Sequence, residues 1–245
     1  CVTGDTMVLT DKGHQPIQEL IGKKVNVWNG EEWSEVEPFS TGQNALMEIQ
    51  FSNGQTIRCT PYHKWVLHDG TRVEAKDLKL TDKLMYAEMP TLLEGAGCPV
   101  DAYSQGFYTG DGTKDSFRSN LYKHNDAIKD RLIGKFWRED RSTWVHGLGM
   151  LSKQFVPINQ YAEYCVNWLA GLLDADGCVS KKHSGNVLEI SAKDREFLQN
   201  VGLMLTRLGV NYRMWEGKDS GFKKGSNGKI YWCDSTARLM ISWKG

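Results

Sequence analysis

The chain of 245 residues lacks several features that mark whole classes of protein. Its six cysteines form no CxxC pair, so we expect reduced thiols rather than a zinc knuckle or a dense disulfide framework. No apolar run approaches the ~20 residues that a helix needs to cross a bilayer. The first ten residues have neither the basic nor the apolar region of a signal peptide. We therefore expect an intracellular, cytoplasmic protein with no membrane partner.

Net charge is also absent, but the charges are unevenly distributed. The chain has 30 basic and 30 acidic side chains. Residues 1–97 hold 9 basic and 14 acidic side chains, whereas residues 98–245 hold 21 basic and 16 acidic ones. The second part is therefore the better candidate for binding a polyanion such as nucleic acid.

Two kinds of hydrophobic pattern divide the chain. Up to about residue 90, short β-branched and aromatic runs alternate with Asn-Gly and Asp-Gly turn signals, which predicts an antiparallel β-domain. A segment rich in proline and small residues follows. Beyond it, helical spacing of apolar residues predicts helices over 125–137, 160–177 and 193–209, with strands between them. The second part is thus predicted to be α+β.

A short internal repeat is the most informative feature of the second part. Residues 104–112 (SQGFYTGDG) align without gaps with residues 169–177 (LAGLLDADG). Gly106 aligns with Gly171, and each is followed four positions later by another small residue. Residues four apart share a helix face, so two such helices could approach each other closely.

Each copy of the repeat ends in Asp-Gly, which would place Asp111 and Asp176 at adjacent helix ends. Two neighbouring carboxylates repel each other unless a hard divalent cation binds there. Two acids with Mg²⁺ suit phosphodiester hydrolysis, because the metal activates water and stabilises the leaving oxygen. Two ordinary amphipathic helices that end in Asp-Gly turns remain the alternative.

Three segments carry a resemblance to known families. WLAGLLDADG resembles the signature of LAGLIDADG homing endonucleases, and CVTGDTMVLT with RCTPYHKW is similar to the first two splicing blocks of an intein. The resemblance implies an all-β Hint-type splicing domain over residues 1–95. It also implies an inserted α+β endonuclease domain over 96–245, built of two pseudo-symmetric αββαββ halves.

For the first part, the resemblance implies autocatalytic protein splicing without a cofactor. The thiol of Cys1 would attack the preceding carbonyl carbon and convert that amide into a thioester. Thr60 and His63 match the TxxH block, in which the histidine assists the departing nitrogen and the threonine helps to hold the oxyanion. The implied partners are the flanking segments of the host protein.

For the second part, the resemblance implies a monomeric, Mg²⁺-dependent endonuclease that cuts double-stranded DNA at a specific site. Asp111 and Asp176 would bind the metal, and Lys153 would lie near the scissile phosphate. Basic side chains on strands and hairpins would neutralise DNA phosphates. The candidates are Lys181, Lys182, Arg213, Lys223, Lys224 and Lys229.

The chain ends in RLMISWKG, without the returning strands and terminal His-Asn that complete an intein. We therefore expect either a longer protein or the amino-terminal piece of a split intein that needs a separate carboxy-terminal fragment. Two further alternatives stay open. The endonuclease domain could be degenerate and only bind DNA or support the fold, or the first part could be another Hint-type autoprocessing domain.

Overall fold

A computed structural model describes residues 1–114, 116–121, 123–139, 142–147, 149–182, 185–216, 219–225 and 228–243. The chain divides into two compact units, Cys1–Thr91 and Leu92–Gly245. Every pair of strands defined within these ranges is antiparallel.

The first unit consists of short strands and two 3₁₀ turns. Its strands are β1 (Met7–Thr10), β2 (Gly13–Pro16), β3 (Val25–Trp28), β4 (Trp33–Val36), β5 (Met47–Gln50), β6 (Thr56–Cys59), β7 (Lys64–Val66) and β8 (Arg72–Glu74). A four-stranded sheet has the order β2-β1-β3-β4, and β5-β6 and β7-β8 are hairpins. The β-rich reading of this part of the sequence agrees with these elements.

The hairpin β5-β6 shows how local sequence sets the register. Met47 pairs with Cys59, and Gln50 pairs with Thr56. Gly54 in the connecting turn has a φ of 82°, a left-handed conformation that glycine adopts without steric cost. Cys59 is completely buried at the end of β6. Thr60, the first residue of the TxxH block, follows it directly, so the block begins at an anchored position.

The second unit contains the three α-helices of the described chain. They are α1 (Ala102–Asp111), α2 (Ala162–Asp176) and α3 (Arg195–Arg207). The strands are β9 (Arg118–Leu121), β10 (Lys135–Glu139), β11 (Ser142–His146), β12 (Gly177–Lys182), β13 (Gly185–Ala192), β14 (Arg213–Glu216), β15 (Gly221–Lys224), β16 (Ile230–Cys233) and β17 (Ala237–Trp243). They form sheets in the orders β10-β11-β9, β12-β13-β17-β14 and β15-β16.

Local signals explain where these helices start and stop. The Asp101 carboxylate accepts a hydrogen bond from the backbone N–H of Ser104 at the start of α1, at 2.8 Å. Asp194 caps α3 in the same way through Phe197, so two otherwise unpaired N–H groups are satisfied. After α3, Gly209 has a φ of 72°, which confirms it as the predicted helix stop. The predicted helix over 160–177 corresponds to α2.

The predicted helix over 125–137 is wrong. Lys123–Arg131 form a 3₁₀ helix, and Lys135–Glu139 form the strand β10. Trp137 on β10 stacks on Trp144 of β11, with ring centroids 6.4 Å apart. The aromatic residues after Gly134 thus gain more from cross-strand pairing than from continuing a helix, and a glycine in the interior already weakens a helical pattern.

The hydrophobic core of the second unit lies between its helices and sheets. Trp168 and Leu198 are fully buried from the helices, and Leu239 from the central strand β17. A smaller cluster forms around Phe107 and Val145. The unit is therefore α+β as predicted, while the division into two αββαββ halves stays a prediction. None of the helices within the described ranges is both long and apolar enough to cross a membrane.

Candidate functional sites

The first unit brings its three predicted site residues together at the amino terminus. The Cys1 nitrogen lies 3.1 Å from Thr60 Oγ1 and 3.2 Å from His63 Nδ1. Backbone contacts fix this approach, because the Thr60 N–H donates to the Cys1 carbonyl oxygen at 2.9 Å and Val2 bridges to Cys59. The terminal segment therefore lies alongside the end of β6, next to the TxxH block.

His63 is partly buried in this arrangement. Burial lowers the pKa of its imidazole, and the positive charge of the Cys1 amino group lowers it further. The neutral ring is thus favoured, as a group that accepts and returns a proton near neutral pH requires. Trp65 packs against the ring with its centroid 5.2 Å away and the two planes 68° apart.

In a chain that continues upstream, the Cys1 nitrogen is the amide nitrogen of the preceding peptide bond. The ammonium nitrogen of the structure stands for that atom. Its two polar neighbours are then an imidazole nitrogen and the hydroxyl of Thr60, which is 1% exposed. Such an arrangement can support a departing amide nitrogen, because both neighbours exchange hydrogen bonds with it.

In the second unit, α1 and α2 pack through the glycines of the repeat. A Cβ atom placed on Gly106 would lie 1.9 Å from the Trp168 carbonyl oxygen, and one on Gly171 would lie 2.0 Å from the Tyr103 carbonyl oxygen. The two contacts mirror each other, as the sequence repeat requires. The helices approach closely only because both positions lack a side chain.

Close packing places the two aspartates at corresponding helix ends. Asp111 is the last residue of α1, and Asp176 is the last residue of α2. The Cβ position built on Gly110 lies 3.4 Å from Asp176 Cβ, so the two ends are in contact. Burial raises the pKa of Asp176, although the positive charge of Lys153 opposes this. A partly desolvated carboxylate of this kind gains from a bound cation.

Lys153 joins the two aspartates in one cluster. Its Nζ donates to the carbonyl oxygen of Gly110 at 3.0 Å and also to that of Gly112, so it caps the carbonyl end of α1. Burial lowers its pKa, while Asp111 and Asp176 both act in the opposite direction. The structure thus brings together the three residues that the sequence assigned to the endonuclease site.

The side chains available to hold a metal at this cluster are the carboxylates of Asp111 and Asp176, which are hard oxygen donors. Within the described ranges, no group of three or more His, Cys, Asp or Glu side chains could hold a metal. Mg²⁺ is commonly bound by one or two carboxylates, with waters and substrate phosphates filling the other positions. Asp111 and Asp176 supply that number of carboxylates.

The predicted DNA-contacting residues lie on three strands and one loop. Arg213 lies on β14, Lys223 and Lys224 lie on β15, and Lys229 precedes β16. Met214 and Leu239 are buried, so the alternation along β14 places Arg213 and Trp215 on the other face of the sheet. Lys181 and Lys182 belong to β12, but their side chains lie outside the described part of the structure.

Sequence reasoning missed two polar features of this unit. Arg238 of β17 lies opposite Trp215 and thus on the same face as Arg213; alternation around Leu239 could have revealed it. The second feature joins α1, α2 and the 3₁₀ helix. The Tyr103 hydroxyl donates to Asp174 at 2.7 Å, and Arg131 pairs with Asp174 at 3.1 Å and lies over the Tyr103 ring. No periodic signal marks that cluster.

Comparisons with known proteins bear on both units. Residues 163–242 match the family model described as LAGLIDADG-like domain. The large subunit of ribonucleoside-diphosphate reductase from Invertebrate iridescent virus 6 is 34% identical and aligns with 100% of this chain and 29% of its own length. The NrdEB subunit alpha of the same enzyme from Bacillus subtilis is 24% identical, over 86% of this chain and 25% of its own length. The chain therefore spans less than a third of these relatives.

A solved structure, a mutant of the Ssp DnaB mini-intein, aligns with 39% of this chain and 65% of its own. Its identity is 24% and its TM-score is 0.32. Within the second unit, residues 163–242 match a LAGLIDADG-like domain, and the β-rich first unit with its TxxH block precedes them in the chain. The recognition made from the sequence, of an intein with an inserted LAGLIDADG-type homing endonuclease domain, is supported by the family model over residues 163–242 and by the relatives that align with most or all of the chain.

Proposed function

We propose that this chain carries out autocatalytic protein splicing that starts with an N-to-S acyl shift at Cys1. The observation that carries the proposal is the contact of the Cys1 nitrogen with both Thr60 Oγ1 and His63 Nδ1. These are the atoms that the reaction needs beside the nitrogen that leaves the upstream carbonyl. No metal or organic cofactor is required.

In this reaction the Cys1 sulfur forms a bond to the carbonyl carbon of the preceding residue. The bond from that carbon to the Cys1 nitrogen then breaks, so an amide becomes a thioester. The thiol proton is transferred to the departing nitrogen, and neutral His63 is placed to carry it. The Thr60 hydroxyl, 3.1 Å from this nitrogen, would hold the nitrogen in place during the transfer, a contact other than the oxyanion role that the resemblance implies.

Thiol-induced release tests this proposal. A small protein is fused ahead of Cys1, and the purified fusion is treated with a thiol and followed by intact mass. We expect the wild type to release its leader and Cys1→Ala to release none, with His63→Gln strongly slowed. If the wild type retains its leader both alone and when carboxy-terminal intein residues are supplied downstream of Gly245, the proposal is wrong.

The kind of host protein that flanks this chain can be proposed from its relatives. Two relatives that align with most or all of this chain are subunits of ribonucleoside-diphosphate reductase. We therefore propose that this chain interrupts a protein of that kind. The carboxy-terminal splicing blocks would be supplied either by the same chain or by a separate fragment.

A second activity is proposed for the LAGLIDADG-like domain, namely site-specific cleavage of double-stranded DNA. The cluster of Asp111, Asp176 and Lys153 supports it. Asp111 and Asp176 would hold the Mg²⁺ ion, which when bound supplies an activated water and stabilises charge on the leaving oxygen. Lys153 would offer positive charge close to the scissile phosphate.

The cleavage substrate is a DNA duplex that spans the uninterrupted reductase-gene site. We expect Mg²⁺-dependent cutting of both strands by the wild type and none by Asp111→Asn or Asp176→Asn. If the wild type binds this duplex but leaves it uncut at every Mg²⁺ concentration, the alternative of a degenerate, DNA-binding domain is correct. Asp130→Asn, which alters a carboxylate of the 3₁₀ helix, serves as the control and should cut normally.

A further inference from the structure

We propose that Trp65 is the positioning residue of the splicing site, holding the His63 imidazole in the orientation that contacts the Cys1 nitrogen. The inference rests on the proposed splicing function. It adds to the TxxH block a residue outside that block which orients its histidine. Trp65 lies on β7, two residues after His63, and does not itself contact the reacting atoms.

Three aromatic rings form a continuous row that ends at the reacting nitrogen. Phe51 and Trp65 have ring centroids 5.4 Å apart and planes at 69°. Trp65 and His63 repeat this edge-to-face arrangement at 5.2 Å and 68°. His63 Nδ1 then lies 3.2 Å from the Cys1 nitrogen. Such edge-to-face contacts are directional, so each ring constrains the next.

The backbone of His63 is already fixed without Trp65. Its N–H donates to the Thr60 carbonyl oxygen at 3.0 Å, and its carbonyl oxygen accepts from the Ala75 N–H at 2.8 Å. Only the side-chain torsions remain free, and rotation about them would move Nδ1 away from Cys1. The edge-to-face contact with Trp65 restricts these torsions.

The indole nitrogen is not needed for this role. Within the described part of the chain, the buried Trp65 Nε1 has no hydrogen-bond partner. The indole side chain is therefore held by packing, and Trp65→Phe removes a donor without breaking a hydrogen bond. Phenylalanine keeps an aromatic face beside His63, which makes this variant a matched control for loss of the ring.

The charged groups around His63 are few. The Cys1 amino group faces the ring directly and is replaced by a neutral amide when a leader precedes it. Lys64 and Glu74 lie opposite each other in the hairpin β7-β8, and Lys76 pairs with Glu74 at 2.9 Å. Burial is the largest cause of the lowered His63 pKa, and the indole ring contributes to that burial.

The test uses the full chain with a leader fused ahead of Cys1. Thiol-induced release and the titration of the His63 Cε1–H signal, followed by NMR with labelled histidine, are compared among wild type, Trp65→Phe and Trp65→Ala. Trp28→Ala is the control, because Trp28 makes a similar edge-to-face contact with Trp33 in the same unit. If Trp65→Ala does not fold, Trp65→Leu is examined in its place.

We expect Trp65→Ala or Trp65→Leu to slow release about tenfold, less than the roughly 10²–10⁴-fold that complete loss of a general acid or base costs, because His63 is displaced but still present. The His63 pKa should rise toward its ordinary value, while Trp65→Phe and Trp28→Ala stay close to wild type in both measurements. A folded variant without the ring that keeps both the wild-type rate and the wild-type pKa overturns the inference. If the wild type releases no leader, the splicing proposal fails, and the titration alone decides the role of Trp65.

Discussion

At the scale of single residues, two carboxylates two positions apart on α2 lie in contrasting surroundings. Asp174 accepts a hydrogen bond from Tyr103 and pairs with Arg131. Asp176 is partly desolvated, and its pKa is raised by burial. Asp174 therefore has a cation and a hydrogen-bond donor beside it. For Asp176, burial disfavours the charged form of the side chain. Sites that bind substrates or ions commonly retain such unfavourable charges.

A pair of substitutions tests this contrast. The folded-state pKa of Asp176 lies above its unfolded value, so the ionised group destabilises the fold at neutral pH. We expect Asp176→Asn to raise Tm by roughly a few °C. The gain should fade as the pH falls through the folded-state pKa, since both side chains are then neutral. Asp174→Asn should lower Tm instead, because it loses the ion pair.

Thermal unfolding measured at several pH values without divalent cations provides the comparison. An Asp176→Asn protein less stable than wild type at neutral pH would contradict the assignment of a desolvated, unfavourable charge. The same variant should no longer be stabilised by added Mg²⁺, whereas Asp174→Asn should keep that response. The metal response thus separates a binding role from a purely structural one.

At the scale of elements, the contact of α1 with α2 determines where the site residues lie. Gly106 and Gly171 meet backbone carbonyl oxygens of the partner helix, which cannot move aside without displacing the helix. A third glycine, Gly202 on α3, instead faces the ring of Tyr212. A side-chain ring can shift more readily than a backbone, so the three positions differ in tolerance although all lie in helices.

We expect alanine substitution at these three positions to change the free energy of unfolding by different amounts. In an exposed helix, Gly→Ala would stabilise the protein by ~1 kcal/mol. At Gly106 and Gly171 we expect a loss of about 1–3 kcal/mol or more, because the added methyl group overpacks a rigid contact. Gly202→Ala should cost less than either. Urea unfolding gives the three values, and an equal cost at all three would refute the distinction between backbone and side-chain neighbours.

The same elements show what sequence alone could predict. The paired glycines and terminal aspartates follow from a gapless repeat, because helical period and residue size are local properties. Lys153 was found only through the family resemblance, since nothing in its local sequence shows that it reaches the end of α1. The segment over 125–137 was misread because Phe136 and Trp137 fit a helix or a strand, and only the cross-strand partner Trp144 decides between them.

At the scale of the whole molecule, the uneven charge distribution predicts where a polyanion binds. The acidic first part and the basic second part carry net charges of opposite sign. The basic side chains include Arg213 and Lys224, which are exposed on β14 and β15. Positive side chains that contact phosphates release counterions, so their contribution to DNA affinity depends on salt.

Salt titration of DNA binding by the full chain tests this distribution. The logarithm of the affinity for a duplex should fall linearly with the logarithm of the salt concentration. Arg213→Ala and Lys224→Ala should each reduce the slope by ~0.9, the contribution of one neutralised phosphate in B-DNA.

Arg58→Ala is the matched control, because Arg58 is an exposed cation of the acidic first unit that pairs with Glu48. If Arg58→Ala reduces the slope as much as the other two variants, binding follows the number of cations and not their position. A slope unchanged in Arg213→Ala and Lys224→Ala would remove β14 and β15 from the DNA-binding surface.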